Sequence, residues 1–517
     1  MQRIAGVVLP LFSIRSRADW GIGQITDLPA CATWIRTAGQ RLLQLLPPQE
    51  LSDGETSPYG ALTAFGLDPV YADIAAIEDL DAAAIDEALG DEGKRSLQRV
   101  RAAARVDYAT VRSLKTRALR AAFDRFHARE WLRASPRAGG LAAFIRQERA
   151  WLDDLALYLA LRESHAGWGW TTWPKEQRDR PAGGLERARV EGARRMLEVA
   201  YVQWTLLDQW DRARAAMRAL GVELMGDVPF VVGSESADVW SHASQFQLQL
   251  SLGAPPDAYA ADGQDWGLPP YDWLAMDADD LAWIRARTRH AARLYDRFRL
   301  DHVVGYFRQW VKKRGGGKGR FDPEGQDTQN ARGLRVLGAI GSELTSGNHV
   351  EPPRALAEDL GVIPPFVREA LDRLGLPGYR VLPWEKDDRE FRDPKEFPVA
   401  SIVSWSTHDT APIVSWWDEL PQEDRTALAA RAGVEEGMDE RTRTLALLRD
   451  LYGAGSNLAL TLVQELLGVP DRINTPGTVG PDNWTWRLPR PLEELHADPA
   501  VCDRLEAVRR LVEASGR

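Results

Sequence analysis

Eight short apolar runs, each closing on a polar or proline residue and separated by stretches of helical periodicity, constrain this chain more than any other feature. They occupy residues 6–11, 42–46, 222–228, 298–302, 355–358, 379–383, 401–406 and 458–463. The fifth, sixth and seventh recur at about 25 residues, the length of a strand, a loop and one crossover helix in a parallel βαβ array. Eight such units predict an α/β fold, a (β/α)8 TIM barrel. The alternative, an open doubly wound sheet, calls for a glycine-rich first turn, and none follows the first run.

Two intervals are too long for a crossover. Residues 80–215 are dense in Ala, Arg, Leu and Glu with apolar residues at three- and four-residue intervals, which predicts a helical subdomain inserted between strands two and three. Within it Trp168-Gly169-Trp170-Thr171-Thr172-Trp173-Pro174 breaks the helical pattern, and either packs a corner or faces the barrel mouth. Residues 235–290 carry Pro255-Pro256-Asp257-Ala258-Tyr259 and Gly263-Gln264-Asp265-Trp266-Gly267, loop chemistry rich in aromatics that predicts a substrate-covering insertion. The basic glycine run at residues 312–321 lacks the Gly-Lys-Ser/Thr ending of a phosphate loop and reads as a flap. The 517 residues are thus expected to form a single catalytic barrel with two insertions.

Composition narrows the function classes. An apolar fraction of 44% is that of a globular protein, and the net charge of −10 argues against nucleic acid as a partner. Two cysteines, Cys31 and Cys502, make no disulfide framework and have no metal-ligand spacing. No stretch approaches the roughly 20 apolar residues of a membrane span. A cytoplasmic protein, monomeric or weakly self-associating, is expected. The eight histidines show no metal-binding pairing near the strand ends, so no metal and no organic cofactor are expected. The twenty tryptophans, many beside Gly, Pro, Asp or His, suit stacking on the apolar faces of sugar rings.

In a barrel of this kind chemistry sits on the loops after the strands, so acidic residues that close strands carry the most information. Four do: Asp227, Asp301, Glu358 and Asp409. Alternation sends Arg299 and Asp301 to the same side, where the guanidinium orients the carboxylate and keeps it ionised. Asp359 points the other way and reads as a cap or structural partner. Two carboxyl groups flanking a scissile bond are the working parts of glycoside chemistry. Asp301 suits the nucleophile and Glu358 the acid/base, with a pKa raised by negative neighbours and desolvation. Asp409 is expected to grip sugar hydroxyls, with His302 and His408 donating to hydroxyls beside the reacting carbon.

Together these residues resemble a family. The segments Asp19-Trp20-Gly21-Ile22-Gly23, Ser57-Pro58-Tyr59, Gly226-Asp227-Val228-Pro229, Arg299-Leu300-Asp301-His302, Ala357-Glu358-Asp359-Leu360-Gly361-Val362, Thr407-His408-Asp409 and Asn474-Thr475-Pro476-Gly477, in that order, are similar to the amylomaltase or disproportionating-enzyme family of 4-α-glucanotransferases, relatives of the α-amylases. The resemblance implies retaining transfer of an α-1,4-glucan segment from a malto-oligosaccharide or starch donor to a sugar acceptor, through a covalent glucosyl-enzyme. It puts the nucleophile on Asp301, the acid/base on Glu358 and the third carboxylate on Asp409. Tyr59, Asp257, Gln264 and Trp266 fall at sugar-binding positions, and Asp227, Arg299, His302, His408 and Asn474 complete the expected substrate-binding set. The chain departs from the usual family pattern at Thr410-Ala411-Pro412 and at Phe321, both near where an acceptor is expected. Formation of a different linkage, α-1,3 or α-1,6, and amylase-like hydrolysis are the alternative outcomes.

Overall fold

The computed structural model describes residues 3–256, 263–344, 354–387 and 390–517. Eight parallel strands close into a barrel: β1 Ile4–Val8, β2 Leu42–Gln44, β3 Glu223–Val228, β4 Arg297–Leu300, β5 Ala355–Ala357, β6 Gly378–Val381, β7 Ser401–Ser404 and β8 Leu458–Leu462. Each pairs with its neighbours in sequence, and β1 closes the ring on β8 with Ile4 beside Leu458 and Val8 beside Leu462. The strands are buried almost throughout because helices cover their outer face and side chains fill the barrel, so they read as apolar runs rather than as alternating ones. All eight runs read from the sequence are strands.

Register sets the site. Asp227 on β3 lies beside Arg299 on β4, Arg299 beside Leu356 on β5, and Leu300 beside Ala357, so the chain leaves β4 at Asp301 and β5 at Glu358 on the same level. The fit around β3 is close: a Cβ on Gly226 would lie 2.3–2.4 Å from ring carbons of Tyr295.

Between β2 and β3 the chain forms the helices Ala82–Ala102, Tyr108–Arg129, Pro136–Gln147, Arg149–Ser164 and Glu186–Ala219. The last has 34 residues, about 50 Å at 1.5 Å per residue, so the expected boundary at 215 falls within it. Its C-terminal half is the crossover to β3. There Trp210 donates its indole N–H to the Leu294 carbonyl at 2.9 Å, and Arg214 and Arg218 both donate to Asp296 ahead of β4.

Residues 235–290 hold more regular structure than their loop-like composition predicts. Strands Leu250–Ala254 and Gln264–Asp265 join Gln309–Lys313 and Arg320–Asp322, which follow β4, in a four-stranded antiparallel sheet. The basic glycine run is the turn of a hairpin in that sheet. Helix Ala282–Leu294 then makes the crossover into β4.

A buried ion pair ties both ends of the chain to the helical insertion. Arg487 donates to both carboxylate oxygens of Asp19, at 2.8 and 2.7 Å, and to the carbonyls of Val100 and Ala103. Among the described residues no helix is long and apolar enough to cross a membrane.

Candidate active site

One guanidinium gathers the acidic groups at the mouth. Arg299 is buried, and its Nη1 donates to Asp227 Oδ2 at 2.6 Å and lies 2.9 Å from Asp301 Oδ1. Its Nη2 lies 3.8 Å from Glu358 Oε2. The alternation expected of the strand is thus realised, since Arg299 and Asp301 meet on the barrel side. Asp359 points away and is held by the amide of Tyr379 and by Arg380 and Arg368.

Glu358 is fixed from two directions. His302 takes a left-handed turn, φ +47°, which aims its backbone N–H at Glu358 Oε2 at 2.7 Å, while the Leu360 amide lies 3.3 Å from Oε1. Burial is the largest influence on this carboxyl, and with the charge of Asp301 it outweighs Arg299 and the backbone donor, raising the pKa from 4.5 to about 8. Glu358 therefore holds a proton at neutral pH.

Asp409 faces it from a turn after β7. Thr410, which opens one departure from the family pattern, accepts the Thr407 amide on its Oγ1 at 2.8 Å and closes this turn. Phe321, the other departure, packs under Trp310 and Arg308 in the side sheet. The Asp409 carboxylate accepts from the Asn474 amide at 2.7 Å and lies 3.3 Å from His408 Nε2. Burial opposes ionisation, but His408, the Asn474 amide and Arg299 outweigh it and hold the carboxyl well below the usual carboxylate range. Its side chain is 42% exposed, where those of Asp301 and Glu358 are 22% and 12% exposed.

The remaining candidates surround these three. The Tyr59 hydroxyl donates to Asp227 Oδ2 and lies 2.9 Å from His408 Nε2, with the two rings stacked. The Trp266 ring stands edge-on to His302 at 5.0 Å, and its indole donates to Gln264. Burial pushes the His302 imidazole below its ordinary pKa, which favours a neutral ring. Asp227 differs from the expected sugar contact: its side chain is fully buried beneath Tyr59 and Arg299, because it leaves β3 one layer below the strand ends. Asp257 lies outside the described residues.

A cleft opens here, lined by Arg299, Glu358, His408 and Asp409 together with Gln44, Tyr379, Trp384 and Ser404. Sequence reasoning missed the last four, and also Trp484, whose ring lies 5.8 Å from Tyr59 and 6.0 Å from His408. Trp384 follows directly on the sixth apolar run, so an aromatic at a strand end was the available signal. Among the described residues no group of three His, Cys, Asp or Glu side chains is placed to hold a metal ion.

The family described as 4-alpha-glucanotransferase matches residues 9–493. The chain belongs to the 4-alpha-glucanotransferase family. The 4-alpha-glucanotransferase of Chlamydia pneumoniae is 29% identical over 505 residues, covering 95% of this chain and 92% of that protein. That of Thermus thermophilus is 30% identical over 472 residues, covering 88% and 89%. In fold, an amylomaltase from Streptococcus agalactiae in complex with acarbose superimposes with a TM-score of 0.84 over the whole of both chains at 24% identity. The match runs from the residue after β1 to the start of the helix Leu492–Ala497, so it takes in all four acidic positions.

Proposed function

We propose that this enzyme is a retaining 4-α-glucanotransferase acting on malto-oligosaccharides or starch, with Asp301 as nucleophile and Glu358 as acid/base. The observation that carries this reading is the sharing of Arg299 between a partly buried carboxyl, Asp301, and a more deeply buried one, Glu358, whose pKa burial raises. A buried carboxyl with a raised pKa beside a second carboxyl paired with a cation is what a double displacement at an anomeric carbon requires. Asp301 attacks C1 as Glu358 passes its proton to the glycosidic oxygen. The C1–O bond breaks, and a glycosyl ester forms on Asp301. The 4-hydroxyl of an acceptor then attacks C1, gives its proton back to Glu358 and releases Asp301, so the new bond is again α-1,4.

Asp409, held ionised, is placed to grip ring hydroxyls and to stabilise the oxocarbenium-like transition state. His302, His408, Asn474, Tyr59, Gln264 and Trp266 line the sugar path, and Asp227 positions Arg299 and Tyr59. The helices after β2 serve as a wall for a single catalytic unit, and the sheet built on residues 250–322 as its cover. The protein is taken to act as a monomer or a weak homo-oligomer. Both cysteines are free, Cys31 buried and Cys502 exposed, which suits the reducing cytoplasm.

Incubation with maltotriose tests the reading. A ladder of longer and shorter α-1,4 oligosaccharides at nearly constant reducing-end count is expected. Reducing ends that climb steadily, or a product ladder with other linkages, would overturn it.

A further inference from the structure

The loop at residues 168–174 carries three tryptophans of unequal burial. Trp170 and Trp173 are buried, whereas Trp168 is 67% exposed. The buried pair are footings. Trp170 donates its indole N–H to the Ser234 carbonyl at 2.9 Å and its amide to the Glu235 carboxylate at 3.0 Å. Trp173 donates its indole N–H to the carbonyl of Trp168 itself at 2.9 Å, and packs against Tyr158 and Trp240. Gly169 sits so close to Glu235 that a Cβ there would come within 2.6 Å of the carboxylate. The backbone under Trp168 is fixed while its ring is uncovered.

The ground beneath this loop belongs to the mouth of the barrel. Ser234 and Glu235 follow β3, and the adjoining Gly233 amide meets the Ala61 carbonyl at 3.3 Å, two residues from Tyr59. On the other side the Ser234 hydroxyl donates to the Gly267 carbonyl at 2.9 Å, next to Trp266. Arg314 clamps the same two groups, donating to the Ser234 hydroxyl and the Gly267 carbonyl. Trp168 thus stands on a rim continuous with both Tyr59 and Trp266.

We propose that Trp168 is an outlying glucan-binding platform, its indole face stacking on the apolar face of a glucose unit several residues along the chain from the bond being cleaved. A rigidly seated aromatic loses little freedom on binding, and no core packing is given up when a ligand covers it. The inference rests on the glucanotransferase reading given above, and it assigns to the insertion a part in holding long chains.

The test is Trp168→Ala, with Trp168→Tyr as the conservative control, measured on maltotriose and on amylose. A roughly five- to tenfold rise in KM for amylose is expected, with kcat little changed, less than twofold movement of KM for maltotriose, and recovery in the tyrosine variant. Equal losses on both substrates, or no loss on either, would overturn the proposal. Retardation in native gels containing amylose reads binding without turnover: the alanine variant should migrate faster than the wild type, and equal mobility would overturn the proposal. Absence of transfer by the wild type, with the mobility difference intact, would instead count against the glucanotransferase reading alone.

Discussion

Glu358 keeps its proton at neutral pH because burial, aided by Asp301, outweighs the pull of Arg299 and the His302 amide. Its folded pKa of about 8 lies above the ordinary 4.5, so the folded state binds this proton more tightly than the unfolded one. The associated stability is fully present below about pH 4.5 and is lost as pH rises towards 8. Glu358→Gln removes the ionisation. Its melting temperature should match the wild type near pH 4 and exceed it at pH 8, while its turnover of malto-oligosaccharides falls by about 10²–10⁴-fold. Wild-type kcat/KM should decline above about pH 8 as the acid form disappears. Thermal melts at the two pH values and a pH–rate profile check both halves. The candidate carboxylates were legible at this scale because carboxylates that close strands have few places to go. Gln44, Tyr379 and Ser404 were not, since a polar residue inside a three- or four-residue strand does not announce which face it takes.

At the scale of elements, β3 and β4 hold the candidate site together by register. Asp227 can brace Arg299 only while β3 keeps its place against the segment before β4, and Gly226 makes that approach possible by leaving room for the Tyr295 ring. Gly226→Ala should force ring and strand apart and destabilise the protein by about 1–3 kcal/mol. Urea or thermal denaturation reads that loss, and an unchanged midpoint would count against the packing described. The eight strands were readable because burial on both faces leaves unbroken apolar runs. The side sheet was not readable. Leu250–Ala254 pairs with Gln309–Lys313 across β4, and antiparallel pairing over that separation leaves no local mark in a stretch rich in Pro, Gly and Asp. Nor did periodicity locate the end of the insertion, because Glu186–Ala219 is one helix that serves both insertion and barrel.

On the scale of the whole molecule, the pair Asp19–Arg487 joins the loop after β1, the end of the first inserted helix and the segment after β8. Both side chains are buried, so removing one leaves an uncompensated charge. Asp19→Ala should cost about 3–5 kcal/mol and raise hydrogen exchange around residues 15–21, 100–105 and 484–488 together. Exchange unchanged in all three would show that the seam is held by other contacts. Asp19 lies in a segment that marks the family, yet its partners are structural, which cannot be told from the motif alone. The proposed reaction turns on a covalent glycosyl group at Asp301. The most direct measurement treats Glu358→Gln with α-maltosyl fluoride, whose leaving group needs no proton, and identifies the labelled peptide by mass spectrometry. A maltosyl adduct on Asp301 is the predicted result; an adduct on another carboxylate, or none while fluoride is released, would contradict it.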